Sequence, residues 1–282
     1  MGIALRMAKR GLGRVAPNPS VGAVIADEVT GEVIARGWTQ PGGRPHAETE
    51  AIARAGARAR GATMYVTLEP CSHHGKTGPC ANAIIDAGLK RVVMAIGDPD
   101  SRVAGRGLEW MRKAGITVAI GLMADEARWL TLGHIFRVTE RRPFVQLKLA
   151  LSADGEVPRG EAGQPAWVTS AAARAHGAML RAEADAILVG ARTIADDDPQ
   201  LTCRLPGMAE RSPVRVILSS RLDVPPDVKV FATARDVPTW VLTSDEAGQD
   251  AAGRLRAAGV LVVPVAPTEP LDIGEALGAL AD

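Results

Sequence analysis

The sequence predicts an α/β protein of two consecutive domains, and three observations carry that prediction. Short β-branched runs alternate with helical stretches along the whole chain. Its 282 residues are enough for two ordinary domains. The alternation breaks once, at the polar and basic stretch Arg137–Pro143 (RVTERRP), which is closed by proline. A boundary there separates a domain at 1–140 from a second at 144–282.

Each element has its own signal. Ile3–Arg10 reads as a short amphipathic helix, and Val21–Ala26 and Val33–Trp38 flank a turn at Asp27–Gly31 in the pattern of a hairpin. His46–Arg58 places Ala47, Ala51, Ile52 and Ala55 on one helical face. Thr63–Leu68 reads as a strand, Cys80–Ala87 as a helix ended by Gly88, and Arg91–Ile96 as a strand. Gly107–Ala114, Thr117–Ile120 and Ala124–Gly133 continue as helix, strand and helix. Strands separated by helices of this length imply a largely parallel sheet covered on both faces. The second domain repeats the theme. Its expected strands are Phe144–Ala150, Ala186–Val189, Val214–Leu218, Thr239–Leu242 and Val260–Val263. Its expected helices are Ala171–Arg181, Glu246–Ala257 and Ile273–Ala281.

Composition narrows the function. Hydrophobic residues make up 46% and aromatics only 3%, so the core is aliphatic. The 33 basic and 32 acidic residues leave a formal net charge of +1, which argues against a nucleic-acid partner. No apolar run approaches the roughly 18 residues that span a bilayer, so no membrane partner is expected. Met1–Arg10 lacks the uninterrupted apolar stretch of a signal peptide. A cytoplasmic location follows, and there thiols stay reduced. Cys71, Cys80 and Cys203 are therefore expected as ligands, nucleophiles or core residues rather than disulfides.

Two of those cysteines form a constellation with His46 and Glu48. Zinc favours imidazole nitrogen and thiolate sulfur, and a catalytic zinc takes three protein ligands and keeps one place open. His46, Cys71 and Cys80 supply three. A structural site would want a fourth, which His73 or His74 could provide. His46 and Cys80 each open a predicted helix, so a metal between two helix starts fits the spacing, and the helix partial charge favours a thiolate at Cys80. Glu48 is then free to take a proton from the attacking water and deliver it to the leaving amine. His-x-Glu at a helix start followed by Pro-Cys after a strand is the pattern of zinc deaminases.

The first half resembles the zinc deaminase superfamily, and within it the bifunctional riboflavin-biosynthesis deaminase/reductases. The segments are APNPSVGAVI (Ala16–Ile25), PHAETEA (Pro45–Ala51), YVTLEPC (Tyr65–Cys71), PCSHHGKTGPC (Pro70–Cys80) and VAGRG (Val103–Gly107). The eight residues between Cys71 and Cys80 set it apart from cytidine and tRNA adenosine deaminases, which carry Pro-Cys-x-x-Cys. The resemblance implies a cytidine-deaminase-like three-layer domain and a phosphorylated small-molecule substrate, a diaminopyrimidinone carrying a phosphoribosylamino group. Asn18 would meet its ribose or ring, and Lys76 its phosphate. The bland readings are an Asx-turn residue and a solvated charge.

The second half resembles the family's reductase in QLKLALSADG (Gln146–Gly155), Trp167–Ser170, Leu180–Arg204 and RVILSS (Arg215–Ser220). That implies a dihydrofolate-reductase-like α/β domain using NADPH. Carried over by position, Ala150, Trp167, Thr193, Asp197 and Ser220 border the cofactor. Arg181, Leu201 and Arg204 border the substrate, the arginines suiting a phosphate. Lys148 and Asp154 lie where polar side chains could touch the ribosyl chain. Three departures stand against this half of the pattern: Pro165 replaces a serine, Asp100–Arg102 replaces an Asn-Pro pair, and the chain stops at Asp282 before the family's Glu-Gly-Gly segment. The reductase-like domain is thus expected to be incomplete, to bind NADPH weakly, and to expose a sheet edge that invites a homo-oligomer. Two alternatives stay open at this point: a nucleoside or tRNA deaminase, and a non-catalytic structural zinc module.

Overall fold

A computed structural model describes residues 1–74, 77–100, 103–157, 168–244, 248–265 and 271–281. The chain separates into two units, Met1–Phe144 and Val145–Asp282.

In the first unit, helix α1 (Gly2–Lys9) precedes the hairpin β1 (Gly22–Ala26) and β2 (Val33–Trp38). Then come α2 (Ala47–Ala55), β3 (Thr63–Leu68), α3 (Cys80–Asp86), β4 (Arg91–Ile96), α4 (Arg106–Lys113), β5 (Thr117–Ile120) and α5 (Ala124–Glu140). The strands form one sheet in the order β2-β1-β3-β4-β5. Helices α1 and α5 pack together on one side of it, while α2, α3 and α4 follow one another on the other, giving three layers.

The sheet corrects the expectation of a largely parallel one. β1 pairs antiparallel with both β2 and β3, and only β3–β4 and β4–β5 are parallel. A tight hairpin cannot return a strand in parallel, so the short connection at Asp27–Gly31 decides the pairing of β1 with β2. The core is aliphatic: Ile25, Met64, Val66, Ile84, Met94 and Met111 are fully buried. Gly37 lets α2 lie directly on β2, because a Cβ there would fall 2.2 Å from the Ala47 carbonyl oxygen. That approach fixes the start of α2, where His46 stands.

Helix α5 runs past Gly133, its expected end, into the segment Arg137–Pro143. Buried or half-buried residues at Ala127, Leu130, Thr131, His134 and Ile135 continue the helical face. Their packing outweighs the roughly 1 kcal/mol that a mid-helix glycine costs. Phe144 closes the unit, its ring 5.9 Å from those of both Trp129 and Phe136.

The second unit holds α6 (Ala171–Glu183), β6 (Ala186–Gly190), α7 (Ala191–Asp197), β7 (Val214–Leu218), α8 (Lys229–Ala232), β8 (Thr239–Thr243), α9 (Gln249–Ala257), β9 (Leu261–Pro264) and α10 (Ile273–Ala279). Its sheet, β6-β7-β8-β9, is parallel throughout. The strand expected at Phe144–Ala150 is absent: residues 143–150 are irregular, and Leu147 and Leu149 are exposed. Alternating apolar residues make a strand only where a neighbouring strand takes up the ladder, and none among the described residues does. Helices α7 and α8 are too short to show a period; α7 buries only Ile194. On β7, the fully buried Arg215 donates to the Thr233 hydroxyl (2.8 Å) and to the carbonyls of Thr233 (3.0 Å), Val237 (2.9 Å) and Gln200 (3.4 Å).

Candidate metal and active site

The ligating atoms of His46, Cys71 and Cys80 lie within 4.8 Å of one another, although the residues come from three places in the chain. His46 is the N-cap of α2, in extended conformation (φ −71°, ψ 160°), with its ring making no cap bond. Cys71 follows the end of β3 by two buried residues, Glu69 and Pro70. Cys80 is the first residue of α3. Two backbone amides of α3 stitch the Cys71 limb in place: Cys80 N–H donates to Cys71 Sγ (3.4 Å), and Ala81 N–H to the Cys71 carbonyl (3.2 Å).

The donor set fits zinc. Nδ1 of His46 lies 3.3 Å from Cys80 Sγ and 3.7 Å from Cys71 Sγ. Tetrahedral coordination at ordinary Zn–N and Zn–S lengths puts nitrogen and sulfur about 3.6 Å apart, between the two observed values. Among the described residues neither His73 nor His74 joins the group. The other ring nitrogen, Nε2, is 3.3 Å from the Asn18 amide nitrogen, which donates to the Gly43 carbonyl at 2.8 Å.

Glu48 stands in the first turn of α2 and is only 3% exposed. A helix start favours a carboxylate, yet burial wins here and pushes its pKa up to about 7, against the pull of the nearby His46. The two thiols are unequal for a local reason. Cys80 hydrogen-bonds to Cys71, which brings Cys71 down to about 4; the same bond, together with burial, pushes Cys80 up. A divalent cation between them removes that asymmetry, because it favours both thiolates outright.

In the second unit the residues expected to meet ligands are spread out. Thr193 and Asp197 are exposed on α7, and Ala150 is half-buried on the irregular segment. The Ser220 hydroxyl accepts from Leu271 N–H at 3.3 Å. Arg181, half-buried, donates to the Thr202 carbonyl (3.3 Å). Burial lowers its pKa first and the charge of Arg204 second. Leu201 belongs to the hydrophobic core, at φ +55°. Asp154 accepts from the Ser152 hydroxyl within a local turn. Lys76, Pro165 and Trp167 lie outside the described residues, as do residues 101 and 102.

Residues 1–96 match the zinc-binding region of cytidine and deoxycytidylate deaminases, and residues 143–282 match the RibD C-terminal domain. The riboflavin biosynthesis protein RibD of Aquifex aeolicus is 43% identical over 263 residues, which cover 93% of this chain and 72% of the relative. That of Bacillus amyloliquefaciens is 42% identical over 282 residues, 100% of this chain and 74% of the relative. The chain belongs to the RibD family.

Solved structures agree with this membership. RibD of Acinetobacter baumannii superposes with a TM-score of 0.85 at 36% identity, covering 99% of this chain and 75% of that one. A Thermotoga maritima protein, titled a diaminohydroxyphosphoribosylaminopyrimidine deaminase/5-amino-6-(5-phosphoribosylamino)uracil reductase, superposes with a TM-score of 0.82 at 37% identity, covering 100% and 76%. The chain is thus an enzyme of riboflavin biosynthesis, with a zinc-binding deaminase domain followed by a RibD reductase domain. No helix among the described residues is long and apolar enough to cross a membrane.

Two acidic groups of the RibD deaminase domain, one buried and one half-buried, were not singled out from sequence. Glu69 is 5% exposed and accepts from three backbone amides. Asp98 accepts from His134 Nε2 (3.1 Å) and from Asp100 N–H (2.9 Å). An acidic residue closing an apolar strand, as Glu69 does after Thr63–Leu68, was the available signal for the first.

Proposed function

We propose that this chain hydrolyses the ring amine of 2,5-diamino-6-(5-phosphoribosylamino)pyrimidin-4-one at the site formed by His46, Cys71, Cys80 and Glu48. The observation that carries this reading is the triangle of one nitrogen and two sulfurs with a fully buried carboxyl beside it. Zinc bound there supplies Lewis-acid assistance that makes water a nucleophile near neutral pH. His46 binds through Nδ1, and Cys71 and Cys80 bind as thiolates. With Nδ1 engaged, Nε2 carries the ring proton. Asn18, whose amide nitrogen donates to the Gly43 carbonyl beside the imidazole, is assigned to the ribose or ring of the substrate. Glu48 takes a proton from the attacking water and returns it to the leaving nitrogen. Ammonia departs and a ring carbonyl remains. Lys76 is assigned to the substrate phosphate.

The second unit is assigned the reduction of the ribosyl group to ribityl with NADPH, and the name of the Thermotoga relative supports that pairing of activities. Ala150, Trp167, Thr193, Asp197 and Ser220 border the cofactor in this reading; Arg181, Leu201 and Arg204 border the substrate, whose phosphate suits the two guanidinium groups. A net charge of +1 supports a small-molecule substrate over a nucleic acid. A cytoplasmic location keeps both thiols reduced, as the site requires. Self-association is part of the same reading, and light scattering of the purified chain tests it.

Glu48→Gln tests the deaminase assignment. The variant is expected to keep its zinc and to lose about 10²- to 10⁴-fold in ammonia release. Unchanged turnover would remove Glu48 from the mechanism.

A further inference from the structure

We propose that Glu69 is a positioning residue for the metal site: its carboxylate clamps the strand end that carries Cys71 onto the start of α4. The inference rests on the zinc reading above and goes beyond it by assigning a residue outside the ligand set.

Glu69 lies two residues before Cys71 and is 5% exposed. Its Oε2 accepts from Gly105 N–H at 3.1 Å and Asp98 N–H at 3.4 Å, and its Oε1 accepts from Leu108 N–H at 3.4 Å. Gly105 is the N-cap of α4 and has no side chain to satisfy the free amides of the helix start. Glu69 supplies that cap from another part of the chain, with its charge at the positive end of the helix. A buried carboxylate is tolerable only when its oxygens are met in this way.

The second observation comes from the other side of the contact. A Cβ on Gly107 would fall 2.4 Å from the Pro70 carbonyl oxygen and 3.5 Å from Glu69 Oε1. The first turn of α4 therefore presses on the peptide immediately before Cys71. That limb is held from two directions, by α4 through Glu69 and Pro70 and by α3 through the amides on Cys71. Asp98 ties the outer side of the clamp to α5 through His134. The VAGRG segment thus has a physical role: Gly105 leaves a cap for Glu69 to supply, and Gly107 admits the carbonyl.

The test measures metal binding in the full chain. Glu69→Gln keeps the shape but offers one acceptor and an NH2 group. Whichever way the amide turns, at least one backbone N–H faces another donor. Gly107→Ala disturbs the same contact chiefly through the Pro70 carbonyl and leaves the charge and acceptors of the carboxylate in place. Zinc affinity is read by competition with a chromophoric chelator. Geometry is read from the visible absorption of the Co²⁺-substituted protein, which a merely structural role would not move. Both variants are expected to lose about 10-fold or more in zinc affinity and to alter the Co²⁺ spectrum, with far-UV circular dichroism unchanged. Glu28→Gln, which removes a surface carboxylate paired with Arg91, serves as control and should match the parent. Parent-like affinity and spectrum in both test variants overturn the proposal. Unfolding of both overturns it too, because the clamp then carries the domain and not the ligand. A parent chain that binds no zinc refutes the deaminase reading itself, which separates the two failures.

Discussion

In the first unit the chemical residues sit at the ends of elements whose interiors are sealed. β3 and β4 are buried along almost their whole length and Cys71 follows β3, while His46 and Cys80 stand at the starts of α2 and α3, helices that bury one face. In the second unit the residues assigned to ligands lie along exposed α7, on an irregular segment and within the core, and β6 alternates between exposed and half-buried. A metal site needs atoms placed to tenths of an ångström, which rigid element ends provide. A dinucleotide and a sugar phosphate are far larger than an ion, so the residues proposed to meet them can lie on several separate elements. The metal site, by contrast, is recognisable from three side chains.

Metal removal is the strongest way to break this contrast. Chelation should carry ammonia release towards the uncatalysed rate, a loss of about 10⁶-fold or more, and added zinc should restore it. Ammonia release that survives exhaustive chelation would show that the triangle is not the active centre.

Leu201 sharpens the second half of the comparison, because the structure packs it in the core. Leu201→Ala should cost about 2–5 kcal/mol in denaturant unfolding of that unit. Thr193→Ala, on exposed α7, should stay within about 0.5 kcal/mol. Equal effects would mean that the distinction between core and ligand face is drawn in the wrong place.

Glu48 offers a smaller effect, visible in metal-free protein. Burial raises its carboxyl from 4.5 to about 7, so between those values the folded chain holds a proton that the unfolded chain has released. The associated stability is complete below pH 4.5 and is lost as pH rises through 7, to an extent of about 3 kcal/mol. The Cys71 thiol, brought down to about 4, titrates in the same window with the opposite sign. The quantity to read is therefore the stability difference between parent and Glu48→Gln in denaturant titrations from pH 4.5 to 8, which should move against the parent as pH rises. A difference that stays constant over that range would show that Glu48 is not buried as described.

Much of the first unit was legible because its signals are local. The strands Thr63–Leu68, Arg91–Ile96 and Thr117–Ile120 lie where their β-branched runs place them, and the family was readable from PHAETEA and PCSHHGKTGPC. What escaped depended on partners far away in sequence. The antiparallel pairing of β1 with β3, the missing strand at Phe144–Ala150 and the extension of α5 through Gly133 are each decided by a neighbour. Glu69 escaped for the same reason, since its three donors lie 29 to 39 residues away.

By itself the sequence determined which residue types are available for chemistry and which elements carry them, because side-chain period and motif spacing are properties of neighbouring residues. Only the tertiary structure decided that Nδ1 of His46 faces both sulfurs, that Glu48 is held near neutrality, and that a carboxylate two residues before Cys71 caps a distant helix. Distances and desolvation arise from segments that meet only when the chain is folded.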